Sequence, residues 1–224
     1  PTGAVYPKEV VEQIVQVARE HGLMLFSDEI YDRLVMDGIE HTPTALLAPD
    51  LPVVTFNGLS KSHQICGYRC GWMVISGDKS GAQGYIEGIG KMTSMRLCSN
   101  VLSQTVIKSA LEDPTYTQSL LVPGGRLYEQ RNIAYQMLND IPGISAVKPK
   151  AALYIFPKID LSKVKIKDDR QFVLDFLRQK HVLLTHGQSY NWIQPDHFRL
   201  VYLPQAEELK DVMHRLGDFI ASHS

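Results

Sequence analysis

The stretch TFNGLSKSHQICGYRCGW, Thr55 to Trp72, decides how the rest of the chain reads. It sets Lys61 just past an apolar run, between two serines and eight positions before Arg69. A lysine at the end of a buried strand is costly unless chemistry uses it. On either side, PVVTF (Pro52–Phe56) and GWMVIS (Gly71–Ser76) are short continuous apolar runs of the kind found in strands covered on both faces. A third, LMLFS (Leu23–Ser27), lies upstream and runs into DEIYDRL. Together they predict an open, largely parallel α/β sheet with ligand chemistry at the carboxyl ends of its strands.

Pro7 opens a helical pattern in which Val10, Val11, Ile14, Val17 and Ala18 recur until Gly22, a stripe expected to be core. From Gly81 to about Asp140 the pattern is mainly helical, which predicts a long linking helix interrupted at Pro123-Gly124-Gly125. Beyond it, ISAV, ALYIF, VLLTHG and FRLVYL read as strands, a helix is expected around Phe172–Leu177, and Glu207–Ile220 reads as a closing helix. The expected division is therefore residues 1–120 as part of a large domain and 121–224 as a small α+β domain.

With 224 residues and 44% hydrophobic content the chain can bury a core. The 23 basic and 24 acidic residues nearly cancel, and no basic block is present to neutralise a phosphate backbone, which argues against a nucleic-acid partner. No apolar run reaches the roughly 20 residues that span a bilayer. Three cysteines, Cys66, Cys70 and Cys98, cannot all pair with one another, so a reducing, cytoplasmic setting is expected. His63, Cys66 and Cys70 lack a fourth ligand at zinc-like spacing, so no metal is expected. GLSKS is no phosphate P-loop, because the preceding glycine of that motif is absent.

Taken singly, each chemical candidate has an ordinary reading. Asp28 could cap a helix, Tyr31 could be a half-buried phenol, Lys61 a solvated turn lysine, and Arg69 and Arg199 surface cations. The combination is different: an acid, a phenol, a lysine and an arginine fall at or near the ends of expected strands of one sheet. At this point the sequence resembles the fold type I pyridoxal phosphate enzymes, specifically the class I/II aminotransferases. The resemblance rests on PTG (Pro1–Gly3), SDEIYDRL (Ser27–Leu34), GLSKSHQICGYRCGW (Gly58–Trp72), PKAALYIFPKI (Pro149–Ile159) and FRLVYLP (Phe198–Pro204). Within the family, MRLCSNVLSQ, PGGRLYEQRN and DIPGISAVKPKAALYIFPKID are most similar to bacterial glutamate–pyruvate (alanine) aminotransferases.

The resemblance implies a role for each matching position. Lys61 would form the Schiff base with pyridoxal 5'-phosphate and carry the proton to and from the substrate α-carbon. Asp28 would pair with the pyridine nitrogen, and Tyr31 would hydrogen-bond the ring's 3-oxygen. Ser60 and Arg69 would hold the cofactor phosphate, and Arg199 the substrate α-carboxylate. Tyr154 falls where the family often has an aromatic beside the substrate, though a core aromatic is an equal reading. The implied partners are an amino acid and a 2-oxo acid, with a homodimer at full length. By the same resemblance the chain covers roughly the C-terminal half of a family member, without the asparagine that usually precedes Pro-Thr-Gly. Gly58 stands where many relatives have a phosphate-binding serine, and Ala151 where a glycine is usual. Two other readings share the scaffold. A carbon–sulfur lyase would release ammonia and a thiol without needing a 2-oxo acid. A non-catalytic effector-binding module would hold no cofactor through Lys61.

Overall fold

The computed structural model describes residues 1–223. In chain order the elements begin with α1 (Lys8–Glu20), β1 (Leu25–Asp28), α2 (Thr44–Leu47), β2 (Val53–Gly58), α3 (Leu59–Ser62) and β3 (Gly71–Ser76). Helices α4 (Gln83–Arg96), α5 (Val101–Gln104), α6 (Ile107–Glu112), α7 (Thr115–Ser119) and α8 (Arg126–Asp140) follow. The chain ends with β4 (Ile144–Ser145), β5 (Tyr154–Ile155), β6 (Lys158–Ile159), α9 (Asp169–Lys180), β7 (Thr185–His186), β8 (Phe198–Val201) and α10 (Ala206–Ala221). They gather into two compact units: Val5–Ser119, and Leu120 onward together with Pro1–Ala4.

The first unit is α/β, with strand order β1-β2-β3. Strands β1 and β2 run parallel, Leu25 opposite Val53 and Asp28 opposite Phe56, while β3 returns antiparallel from Gly71 beside Gly58 to Ser76 beside Val53. A largely parallel sheet was expected, and β3 departs from it for a steric reason. The chain between β2 and β3 closes on itself, Leu59 N donating to Cys70 O, so β3 starts beside the end of β2 and returns antiparallel. Helix α1 turns Val11, Val15 and Ala18 inward, and Val15 and Ala18 pack with Ala48, Leu51 and Val53. The expected core stripe is corrected here: Ile14 and Val17 are exposed, because the inward face follows the 11–15–18 spacing. Coverage of the strands on both faces is also not what forms. Burial alternates along β1, where Phe26 is 57% exposed, and on β3 the consecutive Met73 and Val74, which point to opposite faces, are both open.

The single linking helix is replaced by five. Leu97 ends α4 in the left-handed region at φ 57°, and Pro114 separates α6 from α7. Gly124 at φ 85° then turns the chain into α8.

In the second unit β8 lies between β5 and β7, all antiparallel, and β4 pairs with β6. Phe172, Phe176, Phe198 and Phe219 form an aromatic core between α9, β8 and α10. Asp168 starts α9 by accepting a hydrogen bond from Arg170 N at 2.8 Å. The expected strands in VLLTHG and FRLVYL are trimmed to two and four residues. Along β8, Phe198 and Leu200 point into the core, so Arg199 and Val201 take the other face. Gly3 belongs to this unit because its carbonyl accepts hydrogen bonds from Lys150 N and Ala151 N. At φ 69°, with a β-carbon 2.7 Å from Ala151 O, no other residue fits there unstrained.

Candidate active site

Two connections at the carboxyl end of β1 and β2 build a cleft of about 810 Å³ in the first unit. At the end of β1, Asp28 is exposed and lines the cleft, its Oδ1 accepting a 3.3 Å hydrogen bond from Ile30 N. Glu29, the next residue, is buried instead. Its carboxylate accepts from Ser27 Oγ (2.9 Å) and Thr44 N (3.0 Å) and lies 3.1 Å from His41 Nε2. Burial pushes the Glu29 carboxyl up, but His41, the Thr44 amide and the Ser27 hydroxyl together hold it below its ordinary value. His41 is raised in turn, chiefly by its contact with Glu29, against the opposing effect of its own burial. One carboxylate thus serves the cleft and its neighbour anchors the strand end. Tyr31 follows within the same turn and also lines the cleft.

The second connection is the loop from Leu59 to Cys70. Gly58 pairs with Gly71, and Leu59 N donates to Cys70 O at 3.2 Å, so the two ends of the loop are pinned together. A β-carbon on Gly58 would sit 2.7 Å from Cys70 O and 3.0 Å from the Gly71 α-carbon. That close approach gives a physical reason for glycine at this position. Inside the loop, α3 presents Ser60 and Lys61 to the cleft. A short 3-10 turn, Cys66–Tyr68, then brings Arg69 back in the left-handed conformation at φ 55°. Arg69 Nη1 donates to Cys66 O at 2.9 Å. Pinned ends explain why two cations eight residues apart reach one space. The Lys61 amine lies 6.0 Å from the centre of the Tyr31 ring.

Arg199 sits in the second unit, on its own antiparallel sheet rather than on the sheet of Asp28 and Lys61. Its guanidinium lies between two rings, 4.4 Å from the centre of Tyr154 and 5.0 Å from that of Tyr190. Its Nε is buried and has no hydrogen-bond partner among the described residues. Tyr190 is braced edge-on by Phe156, and Phe156 stacks on His197, whose Nδ1 is 2.6 Å from Asp196 Oδ1.

The structure therefore brings Asp28, Tyr31, Ser60, Lys61 and Arg69 to one cleft and leaves Arg199 in the other unit. Sequence reasoning missed Asn57 and Trp72, which also line the cleft, and Tyr190 beside Arg199. Asn57 bridges Asp32 Oδ2 and Gly58 N at 2.8 and 2.7 Å, a link foreshadowed only by its place next to the loop. Nothing in GQSYNW marks Tyr190 as a partner of an arginine on another strand.

Residues 1–216 match the family model for aminotransferase class I and II, and the chain belongs to that family. It is 51% identical over 223 residues to the glutamate-pyruvate aminotransferase AlaA of Escherichia coli K12, covering all of this chain and 55% of that protein. The crystal structure of an aminotransferase from Escherichia coli superposes with a TM-score of 0.97 at 51% identity, over 100% of this chain and 56% of that one. An alanine aminotransferase from Pyrococcus furiosus gives a TM-score of 0.87 at 37% identity, over 99% and 55%. The chain spans about half the length of the relatives it matches.

Proposed function

We propose that the complete protein carrying this chain is a pyridoxal phosphate-dependent aminotransferase. It would move an amino group between alanine and pyruvate on one side and glutamate and 2-oxoglutarate on the other. The observation that carries this reading is the convergence of a carboxylate, a phenol, a hydroxyl, an amine and a guanidinium on one cleft. The donor set suits a phosphorylated pyridine aldehyde. Ser60 and Arg69 offer a hydroxyl and a planar cation for a phosphate, Asp28 an acceptor for a ring N–H, and Tyr31 a donor for a ring oxygen. Lys61 supplies the primary amine. The substrate pair is supported by the name of the Escherichia coli relative.

Bound there, the cofactor would supply an electron sink for the charge left when a substrate α-proton departs. Asp28 would hold the ring N–H through its carboxylate. Lys61 Nζ takes the α-proton and returns it. Arg199 would offer the edge carrying its unpartnered Nε to the substrate carboxylate. The reading extends to a homodimer in the cytoplasm. The compartment is supported by the free Cys66, Cys70 and Cys98, and the dimer by the family resemblance.

The test is Lys61→Ala in the full-length protein. Loss of the visible band of bound cofactor is expected, with a fall in L-alanine:2-oxoglutarate transamination of roughly 10³-fold or more. An unchanged band and unchanged turnover would sink the reading.

A further inference from the structure

The cleft-facing side of the Leu59–Cys70 loop carries the proposed chemistry; its outer side carries polar groups with no place in that chemistry. Ser62, Ser103 and Thr117 are all buried, and none lines the cleft. Each is used on the loop. Thr117 Oγ1, from α7, donates to Ser62 O at 2.7 Å. Ser103 Oγ, from α5, donates to Tyr68 O at 2.5 Å, and Asn100 Nδ2 donates to the same carbonyl at 2.9 Å. His63 Nε2 lies 2.7 Å from Ala110 O of α6, and its Nδ1 lies 2.8 Å from Ser62 Oγ. A carbonyl only accepts, so Nε2 carries a hydrogen and donates it to Ala110 O. The loop is tied to three successive short helices by side chains from both partners.

Such ties are needed where they occur. Helix α3 is a single turn, too short to hold itself together in water. Lys61 hangs from it on a flexible four-carbon stem. Fixing the amine to within a fraction of an ångström requires fixing its root, and apolar contacts, which slide, do this less well than directional hydrogen bonds. Ser62 directly follows Lys61, and two of the ties end on Ser62.

We propose that Thr117 and His63 are positioning residues for Lys61, acting through Ser62; the proposal rests on the reading of Lys61 given above. Thr117 holds the Ser62 carbonyl and His63, itself bonded to α6, holds the Ser62 hydroxyl, so the residue after Lys61 is gripped from two helices. Neither residue lines the cleft.

The test uses the full-length protein loaded with pyridoxal phosphate. Two readouts are taken besides turnover: the dissociation constant of the cofactor, and the pH midpoint of its visible band, which reports on the nitrogen supplied by Lys61. Thr117→Val keeps shape and removes one donor. It is expected to weaken retention about fivefold, the worth of one hydrogen bond, and to move the midpoint by roughly half a pH unit, with Thr117→Ser restoring both. His63→Leu, on the other tie, is expected to act in the same direction, and His63→Gln, which keeps an N–H towards Ala110, to recover part of the loss. Unfolding midpoints separate these effects from loss of fold. A Lys61-dependent band in wild type that Thr117→Val and His63→Leu leave unmoved overturns this proposal alone. Wild type without such a band overturns the functional reading, and this proposal with it.

Discussion

Around Lys61 the geometry is made by backbone. Gly58 and Gly71 meet, Leu59 and Cys70 close the loop, and side chains from the helices behind it bond to its carbonyls. Around Arg199 it is made by rings: a strand delivers the side chain to one face, and Tyr154 and Tyr190 close on the guanidinium from two sides. A loop built from backbone tolerates many side chains provided two chains can come close. A cation held by rings depends on planarity, which lysine lacks, and on π surface, which aliphatic residues lack. The two regions should therefore fail under different substitutions.

Arg199→Lys is the strongest way to test that difference. Charge is kept while the planar fork and its stacking are lost, so kcat/KM for the amino acid is expected to fall about 10- to 100-fold with cofactor retention unchanged. Release of the cofactor by this variant would contradict the role given to Arg199. Gly58→Ala probes the other region: its β-carbon would press on Cys70 O, and a loss of roughly 1–3 kcal/mol in denaturant unfolding is expected. Wild-type stability in that variant would show that the loop ends need not approach so closely. Tyr190→Leu should cost about 1 kcal/mol of unfolding free energy while Tyr190→Phe stays near neutral, because the ring face, not the hydroxyl, meets Arg199. Equal effects of the two would shift the weight from the ring to the hydroxyl.

The smallest expected effect is a pH dependence from the Glu29–His41 pair behind Asp28. His41 is raised on folding, so its contribution is full below the ordinary histidine value of 6.5 and is lost as pH rises through its folded value. Glu29 is lowered, so its contribution is full above the ordinary value of 4.5 and is lost as pH falls through its folded value. Their joint stabilisation is complete between those ordinary values. It should amount to less than about 1 kcal/mol, because His41 is partly open to solvent although Glu29 is buried. Urea midpoints across pH, for wild type and His41→Ala, measure it. A variant that keeps the full decline on the alkaline side would assign that decline to another group.

Much of this was legible in order along the chain, and the misses have definite causes. The β3 run is legible to the residue, Gly71–Ser76, because an apolar stretch between turn residues carries its own boundaries. The inward stripe of α1 is legible only at Val11 and Ala18, since Val10, Ile14 and Val17 have helical spacing as good as Val11, Val15 and Ala18. Periodicity names a face without saying where the neighbours are. The long linking helix failed because Leu97 adopts a left-handed backbone that its type does not announce.

Sequence alone determined the residue types and their local settings: Asp28 and Tyr31 after one apolar run, Ser60 and Lys61 after the next, and Arg69 eight positions later. Those are local matters, set by apolar runs and turn residues. Only the tertiary structure decided that β3 runs antiparallel, that Asp28 faces the cleft while Glu29 turns inward, and that Tyr190 stacks on Arg199. It also decided that Thr117 reaches the carbonyl beside Lys61. Each of these depends on groups distant in sequence meeting at hydrogen-bond or van der Waals range, and one-dimensional spacing does not encode which distant partners arrive.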